Sequence, residues 1–135
     1  MSADSCLFCR IIAGDLPAQI VAQDESTVAF MDINPATDGH LLVVPRVHAR
    51  DLFEIDDDSL AVVMTAAGRM ARLQRERLGA DGVNLINSAG SVAWQTVFHF
   101  HVHVIPRYVG DPLKLPWVPA EGSAERIAAI AERLR

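Results

Sequence analysis

Three of the five histidines in the chain lie at alternate positions of one segment, at His99, His101 and His103. The residues between and beside them are phenylalanine and valine, which favour an extended strand. Side chains of a strand alternate between its two faces, so we expect the three imidazoles on one face and the apolar spacers on the other. A row of titratable rings has few structural uses, which makes this strand the first candidate for chemistry.

The first kind of chemistry is covalent transfer. An unprotonated imidazole is a nucleophile near neutral pH, and a second imidazole beside it can hold or transfer a proton. Nucleotidyl transfer also needs hydrogen-bond donors around the transferring oxygens. Gln95 and Thr96 supply an amide and a hydroxyl just before the histidines, and Asn87 ends the neighbouring predicted strand. This pattern predicts a transfer enzyme that requires no metal for the chemical step.

The second kind of chemistry is metal binding by the same histidines. Alternate strand positions are roughly 6.6 Å apart, so two neighbouring imidazoles can chelate one ion. The outer two rings are about 13 Å apart at the backbone and would not easily share it. A third ligand would come from elsewhere, for example from His40 or Asp32. A zinc-dependent hydrolase with its metal at the histidines is therefore the alternative enzyme.

The chain also carries a Cys-x-x-Cys pair, at Cys6 and Cys9, which is half of a common zinc site. The pair opens the chain and does not follow a strand of a βαβ unit, so we expect no thioredoxin-like redox role. One or two of His48, His99 and the other histidines could complete a Cys2His2 site. Such a closed site would be structural and would attach the N-terminal segment to the sheet.

Composition limits the classes of function. The chain has 135 residues, of which 50% are hydrophobic and 21% charged, and this fits one domain with its own core. The net charge is −5 and Lys114 is the only lysine, so we expect no binding to nucleic acid. The first residues lack the features of a signal peptide, and no apolar run is long enough to span a membrane. These features predict a cytoplasmic protein with no membrane partner.

Hydrophobic periodicity predicts the elements that position these residues. Strands are expected at 20–23, 27–31, 40–45, 83–87 and 99–107, and the segment 6–12 is expected to form a short helix or knuckle. An amphipathic helix is expected at about 56–78, between the third and fourth strands, and another at about 124–134. This order predicts an α+β fold with a five-stranded antiparallel meander sheet, one long core helix and a C-terminal helix.

Several segments together resemble one known family. The segment QTVFHFHVHVI, from Gln95 to Ile105, resembles the signature of the histidine triad (HIT) nucleotide hydrolases and transferases. The opening CLFCRIIAG resembles that of bacterial members, while FMDINP and GHLLVVP resemble the nucleoside-binding segments of the family. The resemblance implies a single HIT domain over 1–135, with its tail and last helix at about 108–135. It also implies a homodimer in which two five-stranded sheets join.

The resemblance gives each histidine a separate role. His101 would attack the α-phosphorus of a purine nucleotide conjugate and form a nucleotidyl-histidine intermediate, from which water releases a nucleoside monophosphate. His103 and His40 would bind and orient the phosphate and the nucleophile. His99 would belong to a structural zinc site instead, whose four ligands are Cys6, Cys9, His48 and His99.

The resemblance also implies which residues bind the substrate. Asp32 would hold the ribose hydroxyls, and Phe30 and Ile33 would line the base pocket. Contacts to the phosphate or the leaving group would come from Asn87, Gln95 and Thr96. The substrate would be a dinucleoside polyphosphate or a nucleoside phosphoramidate. Outside the enzymes, the alternative is a nucleotide-binding or sensing protein with little turnover.

The chain departs from the family pattern in the loop before the histidines. The residue before Gln95 is usually glycine and is Trp94 here. The stretch from Asn87 to Gln95 is also one residue longer than the common pattern. Both differences lie beside the expected leaving group, so they bear on its identity. Pro106 and Arg107 resemble the dinucleoside-polyphosphate and general bacterial branches more than the phosphoramidase branch.

Overall fold

The structure, a computed structural model, describes residues 5–135. Residues 1–4 lie outside the described residues, so the expected absence of a signal peptide stays a prediction. The described elements are α1 (Leu7–Ile12), β1 (Ile20–Gln23), β2 (Thr27–Met31), β3 (Leu41–Pro45), α2 (Asp57–Leu78), β4 (Gly82–Ile86), a 3-10 turn (Ser91–Ala93), β5 (Val102–Arg107) and α3 (Ala124–Leu134). None of the described helices has the length and apolar character needed to cross a membrane.

The five strands form one antiparallel sheet in the order β1-β2-β3-β5-β4. The predicted α+β class with a five-stranded antiparallel sheet is confirmed, but the simple meander order holds only for β1 to β3. Since β5 lies between β3 and β4 and is antiparallel to both, β3 and β4 are parallel to each other. Parallel strands need a long crossover connection, and the 22 residues of α2 supply it.

The sheet is covered by α2 on one face and by α1 on the other. Alternate residues of β3 point to the two sides, with Leu41 and Val43 in the core under α2 and Leu42 and Val44 in the core under α1. A strand buried on both faces reads as a continuous apolar run, which explains the sequence LLVV. The α1 side is therefore an interior face, although α1 has only six residues.

The ends of α2 follow from local chemistry. The side chain of Asp56 accepts a hydrogen bond from the Ser59 amide at 2.7 Å, and Asp57 and Asp58 lie in the first, electropositive turn. Gly79 ends the helix in the left-handed conformation, with φ of 68°. Gly39 also has a positive φ, of 98°, and a Cβ there would collide with the side chain of Leu78. This close approach packs the turn before β3 against the end of α2.

The fifth strand is shorter than predicted, because it begins at Val102 and not at residue 99. The amide of Phe100 donates to the carbonyl of Ala49 at 2.7 Å, outside the sheet. The predicted alternation of faces nevertheless continues through this segment. Phe100 and Val102 lie in the core under α2, whereas the ring of His101 contacts Phe8 of α1. Elsewhere the predicted bounds differ by about one residue.

Candidate active site

A pocket of about 540 Å³ opens between α1 and the sheet. Part of its wall is apolar and includes Phe8, Leu16 and Phe30. The other part carries His101 and His103. Phe8 connects the two parts, since its ring centroid lies 5.3 Å from that of Phe30 and 5.2 Å from that of His101. The pocket can therefore hold a molecule with one flat apolar end and one end that meets imidazoles.

The tautomer of His101 follows from its hydrogen bond. Its Nδ1 lies 2.8 Å from the backbone oxygen of His99, and a carbonyl oxygen only accepts, so Nδ1 carries the proton. The lone pair of the neutral ring is therefore on Nε2. Burial lowers the pKa of His101, with the hydrogen bond to His99 acting in the opposite direction. A neutral ring with a free Nε2 is the form that a nucleophile requires.

A second chain of hydrogen bonds sets the tautomers of His40 and His103. The amide of Ala36 donates to Nδ1 of His40 at 3.0 Å, so the proton of that neutral ring is on Nε2. Nε2 of His40 lies 2.9 Å from Nδ1 of His103 and donates to it. His103 therefore carries its own proton on Nε2. Oδ2 of Asp32 is 3.4 Å from Nε2 of His40 and 3.8 Å from Nδ1 of His103.

These rings are held in the neutral state. Burial lowers the pKa of His40, against the attraction of Asp32. Burial also lowers the pKa of His103 to about 4, and the neighbouring His101 and His40 add to that shift. Near neutral pH the site thus presents one free imidazole lone pair and one imidazole N–H donor, without a fixed positive charge on the rings.

Beside this site, four possible metal ligands come together, namely Cys6, Cys9, His48 and His99. Sγ of Cys9 lies 3.4 Å from Nδ1 of both His48 and His99. Sγ of Cys6 is also 3.4 Å from Nδ1 of His99, and the two imidazole nitrogens are 3.2 Å apart. Zinc bond lengths place tetrahedral sulfur and nitrogen donors roughly 3.3–3.8 Å apart. The four atoms therefore fit a closed tetrahedral site.

The surroundings of this cluster suit a metal as well. Nε2 of His99 donates to the carbonyl of Pro45 at 2.8 Å, which leaves the Nδ1 lone pair directed at the sulfurs. Burial and, to a smaller extent, the contact with Cys6 raise the pKa of the Cys9 thiol to about 11. A thiolate at this position thus needs a cation beside it, which a zinc ion would provide.

The sequence profile of the HIT domain matches residues 13–110, well over half of the chain. The chain belongs to the HIT family. Its elements and sheet also match solved HIT structures, for example a protein of Streptococcus mutans UA159. That structure has a TM-score of 0.93 and 40% sequence identity, with coverage of 98% of this chain and 85% of the other.

Two further relatives bear on chemistry. The adenosine 5'-monophosphoramidase of Schizosaccharomyces pombe is 33% identical to this HIT protein over 131 residues, which is 96% of each chain. A zinc-bound histidine triad family protein of Mycobacterium smegmatis is 40% identical, with a TM-score of 0.81. That comparison covers 98% of this chain and 97% of the other.

Most of the predicted site residues of this HIT protein meet in the two clusters just described. The pocket is lined by the side chains predicted for nucleoside, phosphate and catalysis, namely Phe30, Asp32, Ile33, His40, Thr96, His101 and His103. The four predicted zinc ligands form the second cluster. The three histidines are thus divided, with His99 in the cluster of possible metal ligands and the other two in the pocket.

The side-chain amides of two predicted phosphate-binding residues form hydrogen bonds with the protein backbone. Gln95 is buried, and its Oε1 accepts from the amide of Gly90 at 2.7 Å while its Nε2 donates to the carbonyl of Arg50 at 2.8 Å. Nδ2 of Asn87 donates to the carbonyl of His101 at 2.9 Å. Both residues hold the backbone around the segment that carries His101, and their direct contact with substrate stays a prediction.

Two residues that contribute to the site were not predicted from the sequence. Phe8 lies between the cysteines and was not assigned a role, although the apolar spacing of Phe8 and Ile11 indicates a helix face turned to the sheet. Ala36 acts through its backbone amide, which leaves no mark in the side-chain pattern.

Proposed function

We propose that this HIT protein is a nucleotidyl hydrolase or transferase that cleaves at the α-phosphate of a purine nucleotide conjugate. The observation that carries the proposal is the hydrogen bond from Nδ1 of His101 to the carbonyl of His99. It leaves Nε2 of a buried, neutral imidazole free beside a pocket with an apolar wall. A nucleophile of this kind would form a covalent bond to phosphorus.

In the first step, Nε2 of His101 attacks the α-phosphorus, and the bond from phosphorus to the leaving group breaks with its electron pair on the leaving group. The Nε2–H of His103 donates a hydrogen bond to that leaving group; a polyphosphate departs as an anion, and an amine takes its proton from solvent. His101 becomes a nucleotidyl-imidazolium, whose positive charge is stabilised by the carbonyl that accepts from its Nδ1.

In the second step, a water molecule attacks the same phosphorus. One proton of that water passes to solvent, while Nε2 of His103 keeps its own proton and donates a hydrogen bond to a phosphate oxygen. The P–N bond breaks and returns its electron pair to Nε2 of His101, so the nucleoside monophosphate is released. His40 donates to Nδ1 of His103 throughout and keeps the reactive nitrogen of that ring directed at the pocket.

The pocket supports a nucleotide with a singly charged α-phosphate. Among the described residues no lysine or arginine lines it, so the phosphate would be met by neutral donors such as Thr96 and His103. The base would lie against Phe8 and Phe30, and Asp32 would accept from the ribose hydroxyls. The phosphoramidase from Schizosaccharomyces pombe supports an adenosine 5'-phosphoramidate as one substrate.

We also propose that the Cys6, Cys9, His48 and His99 cluster binds a structural zinc ion. The donor distances and the zinc-bound relative from Mycobacterium smegmatis support this assignment. All four positions of the tetrahedron would be occupied by protein, so the ion would fix α1 and the segment before β5 and take no part in the reaction.

The alternative hydrolase, with zinc at the pocket histidines, has one observation in its favour and one against it. Asp32, His40 and His103 offer ligand atoms at distances near those of a tetrahedral face. Zinc on Nε2 of His40 would require a proton on Nδ1, where the ring now accepts from the amide of Ala36. The two N–H groups, of Ala36 and of His40 Nδ1, would then point at each other, and this conflict favours the covalent mechanism.

A homodimer is a further part of the proposal. β4 is an edge strand of the sheet, and its Leu85 and Ile86 are 41% and 38% exposed. Pairing through this edge would cover both side chains. Sedimentation would give twice the mass of the chain, and a monomer at micromolar concentration would contradict this part. The cytoplasmic location and the absence of a nucleic-acid partner stay predictions.

The test of the function is His101→Asn, assayed on adenosine 5'-phosphoramidate, diadenosine triphosphate and diadenosine tetraphosphate. We expect wild-type turnover on at least one of them and a loss of about 1,000-fold or more in the variant, with adenosine monophosphate binding and the unfolding temperature retained. Turnover that survives the substitution would overturn the mechanism. Binding of adenosine monophosphate by a wild type that is inactive on the whole panel would favour a sensing protein.

A further inference from the structure

The loop between β4 and β5 holds a tryptophan in an unusual conformation. Trp94 has φ of 77° and ψ of 14°, and it is the one non-glycine residue with a positive φ among residues 5–135. A side chain with a Cβ is disfavoured in this region, where glycine is the usual residue. The indole is 70% exposed, so burial does not offset the strain. Strain of this kind is concentrated at functional sites.

The backbone around Trp94 is fixed on both sides. The Trp94 amide donates to the carbonyl of Ser91 at 3.1 Å, and the Gln95 amide donates to the carbonyl of Gly90 at 3.1 Å. The buried side chain of Gln95 then connects this loop to the carbonyl of Arg50. Trp94 therefore lies in a turn whose backbone is fixed by hydrogen bonds on both sides.

Trp94 lies two positions before a residue of the pocket wall. Thr96 lines the pocket together with His101 and His103. Two residues of chain span at most about 7 Å, so the Cα atom of Trp94 lies within that distance of the Cα atom of Thr96. A leaving group that extends from the α-phosphorus past Thr96 would therefore come near position 94.

We infer that Trp94 determines leaving-group specificity by stacking on an aromatic ring of the leaving group. The inference rests on the proposed function and extends it to the far side of the scissile bond. Exposed aromatic rings that stack on bases tolerate different base identities, because every base has a flat π-face. The ring would belong to the second nucleobase of a dinucleoside polyphosphate or to an aromatic amine in a phosphoramidate.

The test compares substrates with and without a ring in the leaving group. The ring-bearing substrates are diadenosine triphosphate and the tryptamine phosphoramidate of adenosine monophosphate, and the ringless one is adenosine 5'-phosphoramidate. In Trp94→Ala the ratio of kcat/KM for a ring-bearing substrate to that for the ringless one is expected to fall about tenfold, mainly through KM. Trp94→Phe is expected to keep most of the ratio. If the ratio falls for only one of the two ring-bearing substrates, the stacked ring is the one in that substrate, a nucleobase or an aromatic amine.

A third variant separates stacking from backbone strain. Trp94→Gly removes both the indole and the strain, so it is expected to unfold at the same or a higher temperature than the wild type and to show the same loss of specificity. An unchanged ratio in Trp94→Ala would overturn the inference. So would an equal loss on every substrate together with dissociation of the dimer, because the indole would then be part of a subunit contact.

A binding readout keeps the inference testable if turnover fails. The chain has two tryptophans, so Trp117→Phe leaves Trp94 as the single indole fluorophore. In that background we expect diadenosine tetraphosphate to quench the emission more strongly than adenosine monophosphate at saturation. Equal quenching by both would overturn the inference, whereas retained turnover in His101→Asn would overturn the proposed function alone.

Discussion

His99 and His101 are joined through the backbone of one and the side chain of the other. The carbonyl of His99 accepts from Nδ1 of His101 at 2.8 Å, while the ring of His99 lies 3.4 Å from the sulfur atoms of Cys6 and Cys9. His99 therefore contributes its ring to the proposed metal cluster and, through its carbonyl, also sets the tautomer of the proposed nucleophile. A substitution among the possible metal ligands is therefore expected to change the position of His101, and a change at His101 is expected to alter the ligand cluster.

Loss of the proposed zinc ion should affect stability first and catalysis second. Cys6→Ser combined with Cys9→Ser should remove about one equivalent of zinc per chain, measured by elemental analysis of protein purified without chelator. The unfolding temperature should fall by about 10 °C or more, because α1 loses its attachment to the sheet. Thr65→Ser, on the exposed side of α2 and outside the cluster, is a control that should keep its zinc. A double variant that retains the metal would show that the ligands are wrongly assigned.

Removal of His40 should act through His103. In His40→Ala nothing donates to Nδ1 of His103, so that ring can take the other tautomer and kcat should fall roughly 100-fold. His40→Gln carries an amide donor near the position of Nε2 and should recover part of the loss. Equal activity of the Ala and Gln variants would contradict a role for this hydrogen bond.

Activity should persist well below the ordinary pKa of histidine. His103 has its pKa lowered to about 4, so its Nδ1 stays able to accept from His40 down to that range. The acid limb of kcat/KM is expected below pH 5, and a midpoint near 6.5 would contradict it. The reference pKa of an unfolded histidine is about 6.5, so the unfolded chain binds more protons between pH 6.5 and 4. Stability should therefore be complete above pH 6.5 and should fall as the pH drops through this window, with a smaller slope in His103→Gln.

Gly39 should tolerate substitution less well than another glycine of the same conformation. Gly39→Ala brings a Cβ against Leu78 at a φ of 98°, so the free energy of unfolding should fall by about 3 kcal/mol. Gly110→Ala, at φ of 84° with open space around the new Cβ, should cost only about 1 kcal/mol. Urea denaturation of both variants measures the difference, and equal values would mean that contact with Leu78 adds nothing. Leu78→Ala should rescue part of the Gly39→Ala loss.

Local patterns predicted the elements well but not their arrangement in space. The apolar run of β3 and the acidic start of α2 carry their own signals, and both elements were predicted within a residue. The insertion of β5 between β3 and β4 depends on how α2 packs across the sheet, which no short segment encodes. The start of β5 at Val102 depends on the bond from the Phe100 amide to Ala49, a partner about fifty positions away.

In the candidate site, too, some features were predictable from the sequence and others depended on the fold. The family signature separated His99 from His101 and His103, and the structure brings the predicted zinc ligands and most pocket residues together. The amides of Gln95 and Asn87 look like substrate ligands in a sequence, yet here they bond backbone carbonyls and amides. The tautomer of His40 depends on the Ala36 amide, and backbone donors are invisible in a pattern of side chains.

The contact between Cys6 and His99 joins positions 93 residues apart in the chain. During synthesis the segment with Cys6 and Phe8 leaves the ribosome well before His99 and His101, which these two residues contact. Contacts of such large sequence separation form late, because a long loop must close before they contribute. The four-ligand cluster and the wall of the pocket that carries His101 are thus completed only when nearly all of the domain exists. An unfinished chain would therefore have neither a complete metal cluster nor a pocket for the nucleoside.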